Sequence, residues 1–168
     1  MCQVTPTVEP LTHQVLAAML LVLLTACAAS QPGTGRTVAF SLLDDDGNLV
    51  RVPASSAKAT VVDAFASDCE PCKRSIPALV ARKADLESRG GKLVLLAALR
   101  EGESTDDVRK VLDSWGVRER LLVDKAGTLK GATGVPTVPA TFVIGQDGEV
   151  RWAAPPGASA EDVVAHVP

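Results

Sequence analysis

Apolar and polar positions alternate over residues 37–43, break at Asp44-Asp45-Asp46-Gly47-Asn48 and resume over 49–52. That pattern predicts a β-hairpin closed by an acidic turn. Residues 60–66, TVVDAFA, are a short β-branched apolar run of the kind that forms a buried strand. A helix is predicted over 70–88, stopped by Arg89-Gly90-Gly91 and kinked at Pro77. Residues 92–99, KLVLLAAL, read as a second buried strand. Ser104 and Asp107 have capping-box spacing, and Val108, Val111, Leu112 and Trp115 form the apolar stripe of the helix they open. That periodicity assigns Trp115 to the core.

The remaining elements are shorter. Residues 121–123 predict a strand and 129–133 one helical turn. Residues 140–144 and 149–153 flank the turn Gln146-Asp147-Gly148 and predict a hairpin. Residues 159–167 predict a last helix, with Ser159 and Asp162 at capping spacing. The order is hairpin, βαβα, short strand, hairpin, helix. Strands joined through helices pair in parallel by right-handed crossovers, whereas the final hairpin is antiparallel. The fold class is therefore α/β, a mixed central sheet with helices on both faces and an N-terminal hairpin extension.

Composition narrows the function classes. The 168 residues carry 17 Lys+Arg and 20 Asp+Glu, a net charge of −3. No dense basic stripe is present, which argues against a nucleic-acid partner. A hydrophobic content of 46% with low net charge excludes general disorder. Four cysteines are too few for a disulfide scaffold. The acidic turn is no calcium loop: with Gly47 at the sharp turn, the first ligand would fall on Leu42.

Residues 15–29, VLAAMLLVLLTACAA, are uncharged but short for a membrane span, and fit the apolar region of an export signal. They end in Leu24-Thr25-Ala26-Cys27, which resembles the lipobox of bacterial lipoproteins. The resemblance implies a signal peptide over 1–26, cleavage before Cys27 and a lipid on the Cys27 sulfur. Residues 1–26 hold no Lys or Arg, and Glu9 is acidic, which points to a translation start downstream of Met1. Residues 27–36 have the small, polar composition of a tether, and 37–168 form the folded domain.

Candidate chemistry concentrates at Cys69-Glu70-Pro71-Cys72, after a buried strand and at a helix start. Two intervening residues let the sulfurs meet. Unpaired N–H groups at the helix start favour a thiolate on Cys69, Pro71 suits a first turn, and Cys72 can resolve a mixed disulfide on Cys69.

With residues 61–66 (VVDAFA), Lys73, Pro77 and the distant segment 134–142 (GVPTVPATF), this motif resembles the thioredoxin superfamily over about 37–168. The lipobox and N-terminal hairpin point to its membrane-anchored TlpA/ResA-like branch. The resemblance implies a thioredoxin-like fold and a thiol–disulfide oxidoreductase that reduces disulfides of exported proteins, as in cytochrome c maturation. It implies a cis bond at Pro139, with Pro136 the competitor, and a substrate-docking segment at Val138, beside Glu70 and Pro71. The partners implied are disulfide-bearing exported proteins and a membrane thiol–disulfide electron donor. The protein is expected as a monomer, lipid-anchored on the extracytoplasmic side, with no metal and no cofactor beyond the Cys69–Cys72 disulfide.

Asp63 matches the buried acid of thioredoxin. Its strand is otherwise apolar, so its carboxyl is expected beneath the dithiol, with a raised pKa, as proton acceptor for Cys72. Asp68 departs from the family, which places Trp before the first cysteine. With Glu70 it sets two carboxylates beside Cys69, offset in part by Lys73 and Arg74. The expected result is a disfavoured thiolate and a reducing potential. Three other readings compete. A redoxin-type thiol peroxidase usually carries Thr where Ala66 stands. A copper-binding module would need a third ligand, and the only histidines are His13 and His166. An inert scaffold would leave the CxPC motif, Asp63 and Pro139 without a purpose.

Overall fold

A computed structural model describes residues 33–168. It contains β1 (Phe40–Leu43), β2 (Leu49–Val52), β3 (Ala59–Phe65), α1 (Cys72–Ala81), α2 (Lys83–Ser88), β4 (Gly91–Ala98), α3 (Thr105–Ser114), β5 (Leu121–Asp124), α4 (Thr128–Thr133), β6 (Ala140–Gly145), β7 (Val150–Ala153) and α5 (Ala160–Ala165). The main sheet has the order β5-β4-β3-β6-β7, and β1-β2 form a separate antiparallel pair. β3 and β4 pair in parallel, as do β4 and β5, while β6 and β7 are antiparallel additions. Among the described residues no helix is long and apolar enough to cross a membrane. Cys27 and the segment assigned to a signal peptide lie outside the described residues.

The apolar runs explain the layers. β3 is buried along its length, and its alternate side chains enter different cores. Val62 and Ala64 pack with Val94, Leu96, Phe142, Ile144 and the hairpin residues Val52, Phe40 and Leu42. Phe65 packs on the opposite face with Cys72, Ile76, Val108 and Leu112. Val61 and Val143 join Leu79, Leu86, Val163 and Val164 on that same face. The crossovers β3-α1-β4 and β4-α3-β5 step in one direction. Right-handed connections therefore put α1, α2 and α3 on one face. α5 packs there too, leaving the other face to the hairpin and the short α4.

Three expectations change in detail. The single helix over 70–88 is two helices, divided at Arg82 (φ −97°, ψ 10°), while Pro77 lies inside α1 without ending it. No Gly or Pro marks the division. The Arg82 guanidinium donates to Asp85 at 2.5 Å and to Glu161 of α5 at 2.6 Å, so its partners are partly tertiary. The first strand starts at Phe40, because the preceding residues join a different edge: Gly35 N–H donates to Val150 O and Val38 N–H to Gly148 O. The folded body therefore reaches back into the stretch read as tether. Lastly, Trp115 is half-buried, 6.0 Å from the Phe65 ring, at the border of the core.

The hairpin docks through its acidic turn. Asp44 accepts from the Asn48 and Asp46 N–H groups, closing the turn. Asp45 pairs with Arg109 and accepts from the Leu121 N–H at 3.2 Å. The turn thus ties the hairpin to β5 and α3.

Candidate active site

The site lies at the C-terminal end of β3, where the chain turns into α1. Cys69 and Cys72 are joined in a disulfide, with Cα atoms 5.2 Å apart. Glu70 and Pro71 occupy the turn before α1, which begins at Cys72 rather than Glu70. Cys72, Ile76 and Leu79 form the buried stripe of α1, at helical spacing. Cys69 precedes that stripe and is half-buried, whereas Cys72 is 1% exposed. The Cys69 sulfur accepts from the Cys72 N–H at 3.3 Å. The donor is the first N–H of α1, so the sulfur faces the positive end of the helix. Of the two sulfurs, Cys69 is therefore the more accessible from solvent.

Asp63 shares a face with Val61 and Phe65 by strand alternation, the face covered by α1. It is 5% exposed. Thr141 lies directly opposite in the β3–β6 register and donates its hydroxyl to the Asp63 carboxylate at 2.8 Å. Burial pushes the Asp63 carboxyl up to about 6, and the Thr141 hydrogen bond opposes that rise. A solvent-facing Asp63 does not fit this geometry.

The Val138–Pro139 bond is cis. Among the described residues the other cis bond is Val52–Pro53, so Pro136 is trans. Ala140 opposes Ala64, which brings Pro139 to the end of β3 from which the cysteine turn departs. Pro139, Glu70 and Pro71 are exposed, and Val138 is half-buried. A cavity of about 160 Å³ adjoins this segment, lined in part by Leu96, Leu129, Val135, Val138 and Ala140. A larger hollow of about 300 Å³, lined by Lys83, Lys92, Glu119 and Arg120, sits at the opposite end of the strands, away from the sulfurs.

The charge around Cys69 differs from the sequence reading. Asp68 pairs with Arg100, and Glu70 lies 4.0 Å from Arg74. Both carboxylates therefore have an arginine partner, and part of the cause for a disfavoured thiolate is removed. Arg100 was not legible as a site residue from local spacing. Its position follows from the parallel register: Phe65 pairs with Ala97, and Asp68 and Arg100 each stand three residues further on. Replacing Arg100 by Ala leaves Asp68 uncompensated beside Cys69. The dithiol then becomes more reducing in a redox titration, with the difference shrinking at high salt. An unchanged potential at low salt would count against this assignment.

Among the described residues no group of three or more His, Cys, Asp or Glu side chains is placed to hold a metal. His166 stacks on Trp152 with ring centroids 4.2 Å apart. His13 lies outside the described residues.

Comparison with known proteins extends these observations. The chain is 28% identical over 111 residues to the thiol-disulfide oxidoreductase ResA of Bacillus subtilis (strain 168), which is 66% of this chain and 60% of that protein. The match thus spans less than two thirds of that relative's length. A thioredoxin-family thiol:disulfide interchange protein from Chlorobium tepidum TLS superposes with TM-score 0.63 at 24% identity, covering 83% of this chain and 97% of that one. The pneumococcal exposed lipoprotein thioredoxin from Streptococcus pneumoniae strain TIGR4 superposes with TM-score 0.64 at 21% identity, covering 77% and 97%. These neighbours establish the thioredoxin-like fold. The AhpC/TSA family model matches residues 35–153, a span that holds both cysteines, Asp63 and the cis bond, and the chain belongs to that family.

Proposed function

We propose that this protein is a thiol–disulfide oxidoreductase that reduces disulfides of exported proteins. The observation that carries the reading is the disulfide between half-buried Cys69 and fully buried Cys72 at the start of α1, on the sheet face that holds the buried Asp63. In the reduced protein the Cys69 thiolate attacks one sulfur of the substrate disulfide. That bond breaks, the second substrate sulfur leaves as a thiolate, and a mixed disulfide forms on Cys69. Cys72 then gives its proton to Asp63 and attacks the Cys69 sulfur. The substrate is released with two electrons gained, and the Cys69–Cys72 disulfide holds the two electrons' worth of oxidation. Val138 and Pro139, with Glu70 and Pro71, form the docking rim for an extended substrate segment.

The protein is placed by this reading on the extracytoplasmic side of a membrane, held by a lipid on Cys27. The apolar run and lipobox support the anchor, and the likeness to an exposed lipoprotein thioredoxin is consistent with it. A membrane thiol–disulfide relay would return the dithiol to its reduced form. Substrates in cytochrome c maturation fit the resemblance to ResA.

The test is direct. Reduced protein is mixed with insulin, whose disulfides report reduction, and its potential is measured against thiol buffers. Stoichiometric insulin reduction and a potential toward the reducing end are expected. A potential at the oxidising end, faster turnover of hydrogen peroxide than of protein disulfide, or retention of Cu(I) that blocks exchange would each overturn the reading.

A further inference from the structure

We propose that Thr141 is a positioning residue of this site: its hydroxyl holds the Asp63 carboxylate in its ionised form, ready to take the proton from Cys72. The inference rests on the proposed role of Asp63 in resolving the mixed disulfide and adds the group that governs it.

The geometry begins with the register. β3 and β6 run antiparallel with Asp63 opposite Thr141, and alternation turns both side chains to the α1 face. An ionised carboxylate only accepts hydrogen bonds, and the Thr141 hydroxyl donates one at 2.8 Å. A hydrogen bond of this kind favours the charged form. The surroundings supply little else to do so. β4 sets Leu95 beside Asp63, and α1 brings Cys72 and Ile76 to that face. The charged residues at the start of α1, Lys73 and Arg74, are exposed. Burial raises the Asp63 carboxyl, and among the described residues the Thr141 hydroxyl is the one group that acts against it.

Thr141 is also anchored. Its carbonyl accepts from the Ala154 N–H at 2.8 Å, and it stands two residues after the cis bond at Pro139. The strand that carries the docking segment therefore also carries the donor to the buried acid. Without the hydroxyl, Asp63 holds its proton to higher pH. Below that pH it has no vacancy for the proton of Cys72, and resolution slows.

Three variants test this in the full chain: Thr141→Val, which keeps the β-branched shape, Thr141→Ser, which keeps the hydroxyl, and Thr141→Ala, used if the valine protein does not fold. The Asp63 carboxyl is titrated by carbon NMR, and the resolution rate of a preformed mixed disulfide is followed against pH. Thr141→Val is expected to raise the proton affinity of Asp63 roughly tenfold, the scale of one hydrogen bond to a charged group. The rising limb of the rate profile should move to higher pH with it. Thr141→Ser should restore both, and Thr141→Val should add nothing in an Asp63→Asn background. An unmoved Asp63 titration, a serine variant that behaves like valine, or an equal slowing in the Asp63→Asn background overturns the inference. If the wild-type protein reduces no disulfide, the proposed function fails, while the Asp63 titration still decides whether Thr141 holds the acid.

Discussion

Replacing Cys69 by Ser should remove the proposed disulfide reduction down to background, a loss of roughly 10³-fold or more, because the atom assigned to the attack is gone. Replacing Cys72 by Ser has a different outcome. Cys69 still attacks, but the mixed disulfide has no resolving sulfur and accumulates. The asymmetry follows from burial: Cys69 is half-buried at the surface turn, and Cys72 is 1% exposed beneath it. On the proposed function an incoming substrate should reach the first sulfur, and the second should reach only its neighbour three residues away. The measurement is capture of covalent adducts by the Cys72→Ser protein in an extracytoplasmic extract, reversed by a small thiol. Adducts forming equally on a Cys69→Ser protein would reverse the assigned order.

The second large effect is at Asp63. Asp63→Asn should give a protein that is more stable and slower to resolve mixed disulfides. Burial pushes the carboxyl up from its ordinary value of 3.8 to about 6 in the folded protein. The folded state therefore binds this proton more tightly than the unfolded chain does. Stability from this group is highest below pH 4, falls as pH rises through the window from 3.8 to about 6, and is lowest above it. The gap corresponds to a cost of about 3 kcal/mol at neutral pH, at about 1.4 kcal/mol per pKa unit. Asn keeps an oxygen that can accept from the Thr141 hydroxyl and carries no charge, so most of that cost disappears. Denaturant unfolding at pH 5 and pH 8 checks the sign: the variant's advantage should be larger at pH 8. A variant less stable than wild type at pH 8 would show that the buried charge does not carry this cost. Loss of the proposed proton acceptor should slow resolution, so stability and rate are expected to move in opposite directions. That trade is common where a charged group is buried for its chemistry.

Much of the site was readable from residue types and spacing. CxPC after a β-branched run identifies the two sulfurs, because few other residues place a redox pair at a helix start. Pro139 stood out on its family segment, and its peptide bond is cis. Asp63 stood out because a carboxylate interrupts an otherwise apolar strand. Arg100 and Thr141 were not legible in the same way. One is an exposed arginine after a strand and the other a threonine in a strand, both common. They acquire meaning through registers that pair β3 with β4 on one side and β6 on the other. The division at Arg82 was equally hidden, since its guanidinium reaches Glu161, a residue 79 positions away.

By itself, the amino-acid sequence determined the kinds of elements, their order, the parallel and antiparallel connections, and which sulfurs form the pair. Those depend on local periodicity, turn residues and spacing, all of which act within a few residues along the chain. The tertiary structure decided which face each helix covers, where the long helix divides, and which groups lie beside the cysteine turn and the buried acid. Those features depend on register between strands distant in sequence. A slip of one residue between β3 and β6 would turn Thr141 to the other face of the sheet and leave Asp63 without its donor.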